Sequence, residues 1–161
     1  MNLQNLFSAQ NELDQHIEEQ HPRKEGESRQ NEKVLALLVE IGELANETRC
    51  FKFWSHKPAS PKGIVLEEFV DGLHFIISYG LEMKVEEVAI TPIKKDSLIE
   101  QFIDLYNAVT ILKVNYSPRA YNQVFSAFIG LGEMLGFTWD EIEKGYFAKN
   151  TINHARQESW Y

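Results

Sequence analysis

The sequence predicts an all-α fold, on three observations. Apolar residues recur at helical spacing almost throughout its 161 residues, no stretch alternates with a period of two for long enough to make a strand, and Ser or Thr stands repeatedly where a helix N-cap is expected. With 43% apolar and 12% aromatic residues there is enough material for one core, so residues 1–161 read as a single domain with a four-helix-bundle-like centre. No internal repeat, low-complexity tract or linker divides it.

About six helices follow in order. The first is expected from about Leu3 to Glu19, ending before His21-Pro22 and a polar stretch from Lys24 to Ser28. The second covers about Asn31 to Cys50, and Ser55 to Lys62 makes a loop. Ser60-Pro61 reads as an N-cap with proline at the first helical position, opening a third helix that runs to about Glu82. Asp96-Ser97 begins a fourth reaching about Val114, and Ser117-Pro118 repeats the cap-and-proline signature for a fifth that ends near Gly136. Thr138 with Glu141 has the spacing of a capping box for the last, which continues towards Gln157.

A formal charge of -8 argues against binding a nucleic-acid polymer through charge alone. The single cysteine, Cys50, has no partner for an intrachain disulfide and reads only as a buried residue. No run of about 20 apolar residues suits a membrane span and none has the make-up of a signal peptide. Cytoplasm, with no membrane partner, is the default expectation.

Two acidic pairs carry the chemistry, Glu40-Ile-Gly-Glu43 and Glu68-Phe-Val-Asp71. Their i, i+3 spacing puts each pair on one side of a helix, and the interval between them is long enough for the chain to reverse. Hard oxygen ligands gathered in this way match Mg²⁺ or Mn²⁺, ions that bridge phosphate oxygens and acidify a bound water, which points to phosphate-ester or anhydride chemistry. On a helical wheel Leu37, Ile41, Leu44 and Thr48 form an inward stripe beside a row of Glu40, Glu43 and Glu47. In the third helix Leu66, Phe69, Val70, Leu73 and Ile77 form the core stripe, with Glu68, Asp71, Phe75 and Glu82 on the other side. The competing reading is two ordinary solvated faces, because surface Glu is common and exposed like charges repel only weakly.

The last helix offers the complement. Tyr146, Lys149, Asn153 and Arg156 share a face, with Asn150 and Gln157 beside them, so cations suited to phosphate stand next to amides able to read a base edge; a solvated helix of mixed polarity is the alternative. Trp54 reads either as a core plug or as a stacking platform. His74 reads either as a hydrogen-bonded packing residue or, beside Phe75, as a contact to sugar or base. Glu12, Glu18 and Glu19 read as a solvated face.

At these residues the sequence resembles the dimeric dUTPase family, within the all-α NTP pyrophosphatase superfamily that also holds MazG-like enzymes. The resemblance rests on the two carboxylate pairs, on Phe51-Lys52-Phe53-Trp54 after the first, on His74-Phe75 after the second, and on the tail from Tyr146 through Lys149-Asn150, Asn153 and Arg156-Gln157 to Tyr161; it runs from about Leu3 to Tyr161. It implies a homodimer that cleaves dUTP, and also dUDP, to dUMP with Mg²⁺. Glu40, Glu43, Glu68 and Asp71 would hold the metals, with Glu40 also orienting or deprotonating the water. Lys149 and Arg156 would neutralise phosphate charge, and Trp54, His74, Phe75 and Asn153 would line the nucleoside pocket. Gln10 and Asp14 match positions near the base. The paired chains are expected to meet along the fourth and fifth helices, which carry Phe102, Tyr106, Phe125, Phe128 and Leu131. Two other readings stay open: a dCTP hydrolase or broad MazG-like nucleotide pyrophosphatase, and a non-catalytic helical module.

Overall fold

The computed structural model describes residues 3–159, and the expected terminal contact of Tyr161 lies outside them. The described residues form six helices and no strand: α1 (Leu3–Gln20), α2 (Gln30–Thr48), α3 (Lys62–Glu82), α4 (Leu98–Asn115), α5 (Pro118–Met134) and α6 (Trp139–Glu158). The fold is all-α. Three starts follow the expected chemistry. Ser97 accepts from the Glu100 amide, Ser117 accepts from the Ala120 amide with Pro118 in the first turn, and Thr138 and Glu141 complete a reciprocal capping box.

The third start differs. Ser60 does not cap α3; Pro61 takes the N-cap position without a side-chain bond, while the Ser60 hydroxyl and amide both turn back to Glu47 at the end of α2. A carboxylate is the stronger acceptor for that hydroxyl, and the exchange pins the loop to the preceding helix. Helix α2 also stops short of Cys50, because Arg49 enters the left-handed region (φ 57°) and reverses the chain.

Helix α3 is the central element, packed against α1, α2, α5 and α6. It therefore buries more than one stripe: Phe69, Val70, Leu73, Ile76, Ile77 and Tyr79 are all shielded from solvent, and Phe69 stacks on Phe128 of α5 with ring centroids 4.4 Å apart. Phe102, Phe125, Phe128 and Leu131 are consumed in this core, so they are not available to a second chain as the sequence had led us to expect. Of that set only Tyr106 is exposed. The apolar side chains that do reach solvent on these helices are Leu35 and Val39 of α2 and Ile99, Ile103, Ile111 and Val114 of α4.

The connection from α3 to α4 is clamped by one buried polar side chain. Gln101 donates to the carbonyls of Ile93 (2.9 Å) and Ala127 (2.7 Å) and accepts from the Lys95 amide (2.8 Å), so all three capacities it uses are directed to backbone. The Ile93 amide in turn donates to the Ser126 carbonyl, which brings this segment so close to α5 that a Cβ on Gly130 would lie 1.9 Å from the Ile93 carbonyl oxygen. Only glycine fits there. Gly130→Ala is expected to destabilise the fold by about 1–3 kcal/mol through forced displacement of this strap. Denaturant unfolding measures it, and a loss below about 0.5 kcal/mol would mean that the strap moves freely.

Candidate functional site

Packing of α2 on α3 brings the two acidic motifs face to face. Carboxylate oxygens of Glu40, Glu68 and Asp71 lie within 4.8 Å of one another, at half-buried positions. Burial, and then the charges of Asp71, Glu43 and Glu68, lift Glu40 to about pH 7. Glu68 is raised by burial and by Asp71. Asp71 is raised by burial, although Lys149 opposes the shift. Three carboxylates held this close and partly shielded from water favour protonation or a cation, and their hard oxygens suit a divalent ion. Glu43 is exposed and stands outside the trio, adding its charge to Glu40 and Glu68.

Lys149 reaches this cluster from α6. Its ammonium donates to Asp71 Oδ2 (2.6 Å) and to Glu67 Oε1 (3.0 Å). Burial disfavours its charge, but these two bonds outweigh it and raise its pKa. Both members of the Lys149–Asp71 pair thus titrate high, because the pair is one cation set among several acids.

Beside the cluster lies a cleft of about 470 Å³, walled by α1, α2, α3 and α6. Glu40, Asp71, Asn153 and Arg156 line one part, and Arg156 donates to Asn153 Oδ1 (3.3 Å). Two turns further along α2 and α3, about 10 Å at helical rise, are Lys33 and Ser78. There Asp14 of α1 accepts from the Ser78 hydroxyl (2.7 Å), the Gln10 amide (2.8 Å) and Lys33 (3.4 Å). Leu13, Ile17 and Phe75 supply apolar wall between the two ends. The size and the mix of apolar wall with a few polar groups are those of a small-molecule site.

His74 is 5% exposed and lies under the cleft. Its Nδ1 bonds the Val70 carbonyl, so Nδ1 carries the proton and Nε2 keeps the lone pair; among the described residues Nε2 has no partner. Burial holds the ring neutral, with its pKa near 4.

Residues 2–161 match the family model for dUTPase. The chain belongs to the dUTPase family. No curated protein matches it closely enough to narrow that assignment. Membership makes hydrolysis of dUTP the general activity and dUTP the substrate, with a divalent metal as the typical cofactor of such a family. No helix among the described residues is long and apolar enough to cross a membrane.

Of the residues expected at the dUTPase site, the cleft brings together Glu40, Asp71, His74, Phe75, Asn153 and Arg156, with Glu68 in the adjoining trio. Lys149 does not line it and works on the acids from behind. Trp54 does not line it either. Arg49 bonds Ser55 Oγ (2.6 Å) and the Lys57 carbonyl (3.0 Å), and the loop so formed holds Trp54 64% exposed, edge-on to Phe53. Glu18, read from sequence as solvated, lines the cleft and pairs with Arg23 and Arg29. Cys50 is half-buried rather than buried. Glu82, assigned with the acidic face, belongs to a different environment, since Arg23 grips it with two bonds (2.7 and 2.8 Å) and Lys33 adds a third, holding its pKa near 2.

Arg29, Lys33 and Ser78 were missed. The signals for this end of the cleft were Gln10 and Asp14, and Gln10 occupies a core position in the Leu6, Gln10, Leu13 stripe, where it is 3% exposed.

The raised pKa of Glu40 has a stability consequence. Its folded value of about 7 lies above the ordinary carboxyl range, so ionisation opposes folding; that opposition is absent at the low end of the window and complete above pH 7. In metal-free buffer Glu40→Gln is therefore expected to be more stable than the parent at pH 8, by about 1 kcal/mol after allowing for solvent screening at a half-exposed site, with the gain shrinking towards pH 5. Urea titrations at several pH values measure it, and a pH-independent difference would contradict the assignment.

Proposed function

We propose that the protein hydrolyses dUTP, and also dUDP, to dUMP with Mg²⁺ (Mn²⁺ able to replace it), removing dUTP from the nucleotide pool of the cytoplasm. In this reading residues 1–161 act as one all-α nucleotide pyrophosphatase domain. The observation that supports it is the order of groups along the cleft, with the carboxylate trio at one end, His74 and Phe75 about one turn further along α3, and the Gln10 amide and Ser78 hydroxyl beside Asp14 about two turns away. A nucleotide laid along it would put phosphate at the carboxylates and base at the far end.

Glu40, Glu43, Glu68 and Asp71 would hold the divalent cation, which supplies neutralisation of phosphate charge and acidifies water. Glu40 would orient the attacking water from its carboxylate oxygen, as an acid that lines the cleft with its proton affinity tuned towards neutral pH. Arg156 would donate to phosphate oxygens from the cleft wall, braced by Asn153. Lys149 would hold Asp71 in place and offset the charge of Glu67. Phe75 would stack on the base while His74 packs beneath it. Trp54 has no part in this arrangement.

Asp14 favours a second reading, as a dCTP hydrolase, because a carboxylate accepts from the exocyclic amine of cytosine. Three donors already occupy Asp14, and they leave Gln10 with a spare N–H that matches a carbonyl. Uracil is therefore the better fit. Homodimerisation is supported by Leu35 and Val39 on α2 and Ile99, Ile103 and Tyr106 on α4, where the two helices touch through the Tyr106 hydroxyl and the Leu38 carbonyl (3.0 Å).

A nucleotide panel decides among the readings. Mg²⁺-dependent turnover is expected to favour dUTP over dCTP, dTTP and UTP by about 100-fold or more in kcat/KM; comparable rates on dCTP would move the enzyme to the broader pyrophosphatase class. No turnover of any nucleotide would leave only the helical binding module. Asp71→Asn is expected to lower dUTP turnover by about 100-fold or more while keeping the melting temperature within a few degrees of the parent, because the burial of Asp71 opposes its charge. Sedimentation of Ile103→Lys tests the assembly, with a monomer expected and an unchanged dimer placing the contact elsewhere.

A further inference from the structure

Tyr146 of α6 is fully buried, yet it touches two residues of the cleft wall that come from different helices. Its ring lies flat on His74 of α3, with centroids 4.0 Å apart and planes at 8°. Its hydroxyl is 2.6 Å from Gln10 Oε1 on α1 and 3.4 Å from the Leu6 carbonyl. A phenol has one proton to donate, and the shorter contact takes it.

The direction of these bonds is determined from the far end. Asp14, ion-paired with Lys33, accepts only, so the Gln10 group facing it at 2.8 Å must be the amide nitrogen. That places the Gln10 oxygen towards Tyr146, where the hydroxyl donates to it. One amide hydrogen of Gln10 is spent on Asp14, the second has no partner among the described residues, and Gln10 lines the cleft. Without the tyrosine hydroxyl, the side-chain amide would lose the contact that holds its oxygen inward, and Gln10, at 3% exposure, has little water to replace it.

We infer that Tyr146 is a positioning residue for nucleoside recognition: by fixing the amide of Gln10 it makes the cleft offer an N–H donor to a carbonyl oxygen of the bound base. This rests on the nucleotide-hydrolase reading above and adds the residue that sets the hydrogen-bond sense of its pocket.

Tyr146→Phe keeps the ring on His74 and removes only the hydroxyl. With the full chain and Mg²⁺, KM for dUTP is expected to rise about tenfold with kcat nearly unchanged, since one oriented hydrogen bond is lost and the reacting phosphate is untouched. Gln10→Met, similar in length and lacking the amide, is expected to give a similar rise, and the double variant no more than either single one. An unchanged KM in Tyr146→Phe, or effects that simply multiply in the double variant, overturns the inference while turnover by the parent leaves the nucleotide reading standing. Absence of turnover by the parent removes that reading. In that event the side-chain NH₂ resonances of Gln10 decide the positioning itself, with shifted, faster-exchanging signals expected in Tyr146→Phe and identical signals overturning it. Should Tyr146→Phe fail to fold, an unchanged KM in Gln10→Met overturns the inference alone.

Discussion

Mutual repulsion among three carboxylates within 4.8 Å is the constraint around which this molecule is built. Nothing in that cluster favours its own assembly, so the apolar faces of α2 and α3 must hold it, with Leu37, Ile41 and Leu44 packed towards Phe69, Val70 and Leu73 in one continuous core. The raised affinity of Glu40, Glu68 and Asp71 for protons is the trace of that work. A cation of matching hardness would relieve the repulsion, and its binding would then couple to stability.

Helices α2 and α3 carry two acid environments of opposite character, one in the cleft and one outside it. Glu40 lies among other acids and is pushed up to about 7, while Glu82 lies between Arg23 and Lys33 and is pulled down to about 2. One end is thus prepared to exchange protons or cations near neutral pH, and the other is a permanently charged strut that ties the loop after α1 to the end of α3.

Helix identity and the clustering of Glu40, Glu68 and Asp71 were legible because both depend on spacing along one element. The caps at Ser97, Ser117 and Thr138 are local and were read correctly; the Ser60 cap failed because its competitor, Glu47, comes from the preceding helix. The same distinction runs through the site. Glu40, Glu68 and Asp71 announce themselves by i, i+3 spacing, whereas Lys33 and Ser78 enter only because α2 and α3 run past each other in a particular register. Trp54 went the other way: its type and position fitted a stacking platform, and a loop set by Arg49 turns it outward. Phe125 and Phe128 could be identified as buried, but not whether another chain or their own would bury them.

The contacts between α1 and α6 link residues far apart in the chain. Tyr146 with Gln10, Asn150 with Ala9, and His154 with His16 join positions separated by 136 to 141 residues. Closing a loop of that length is the costliest entropic step available to the chain, and it comes after the local helix pairs α2–α3 and α4–α5 can already form. The wall that α1 and α6 build is therefore expected to be completed late in folding. A partly folded molecule can hold its acidic cluster and still lack a binding wall, so catalytic competence reports completion of the whole chain rather than of the helix pair that carries the acids.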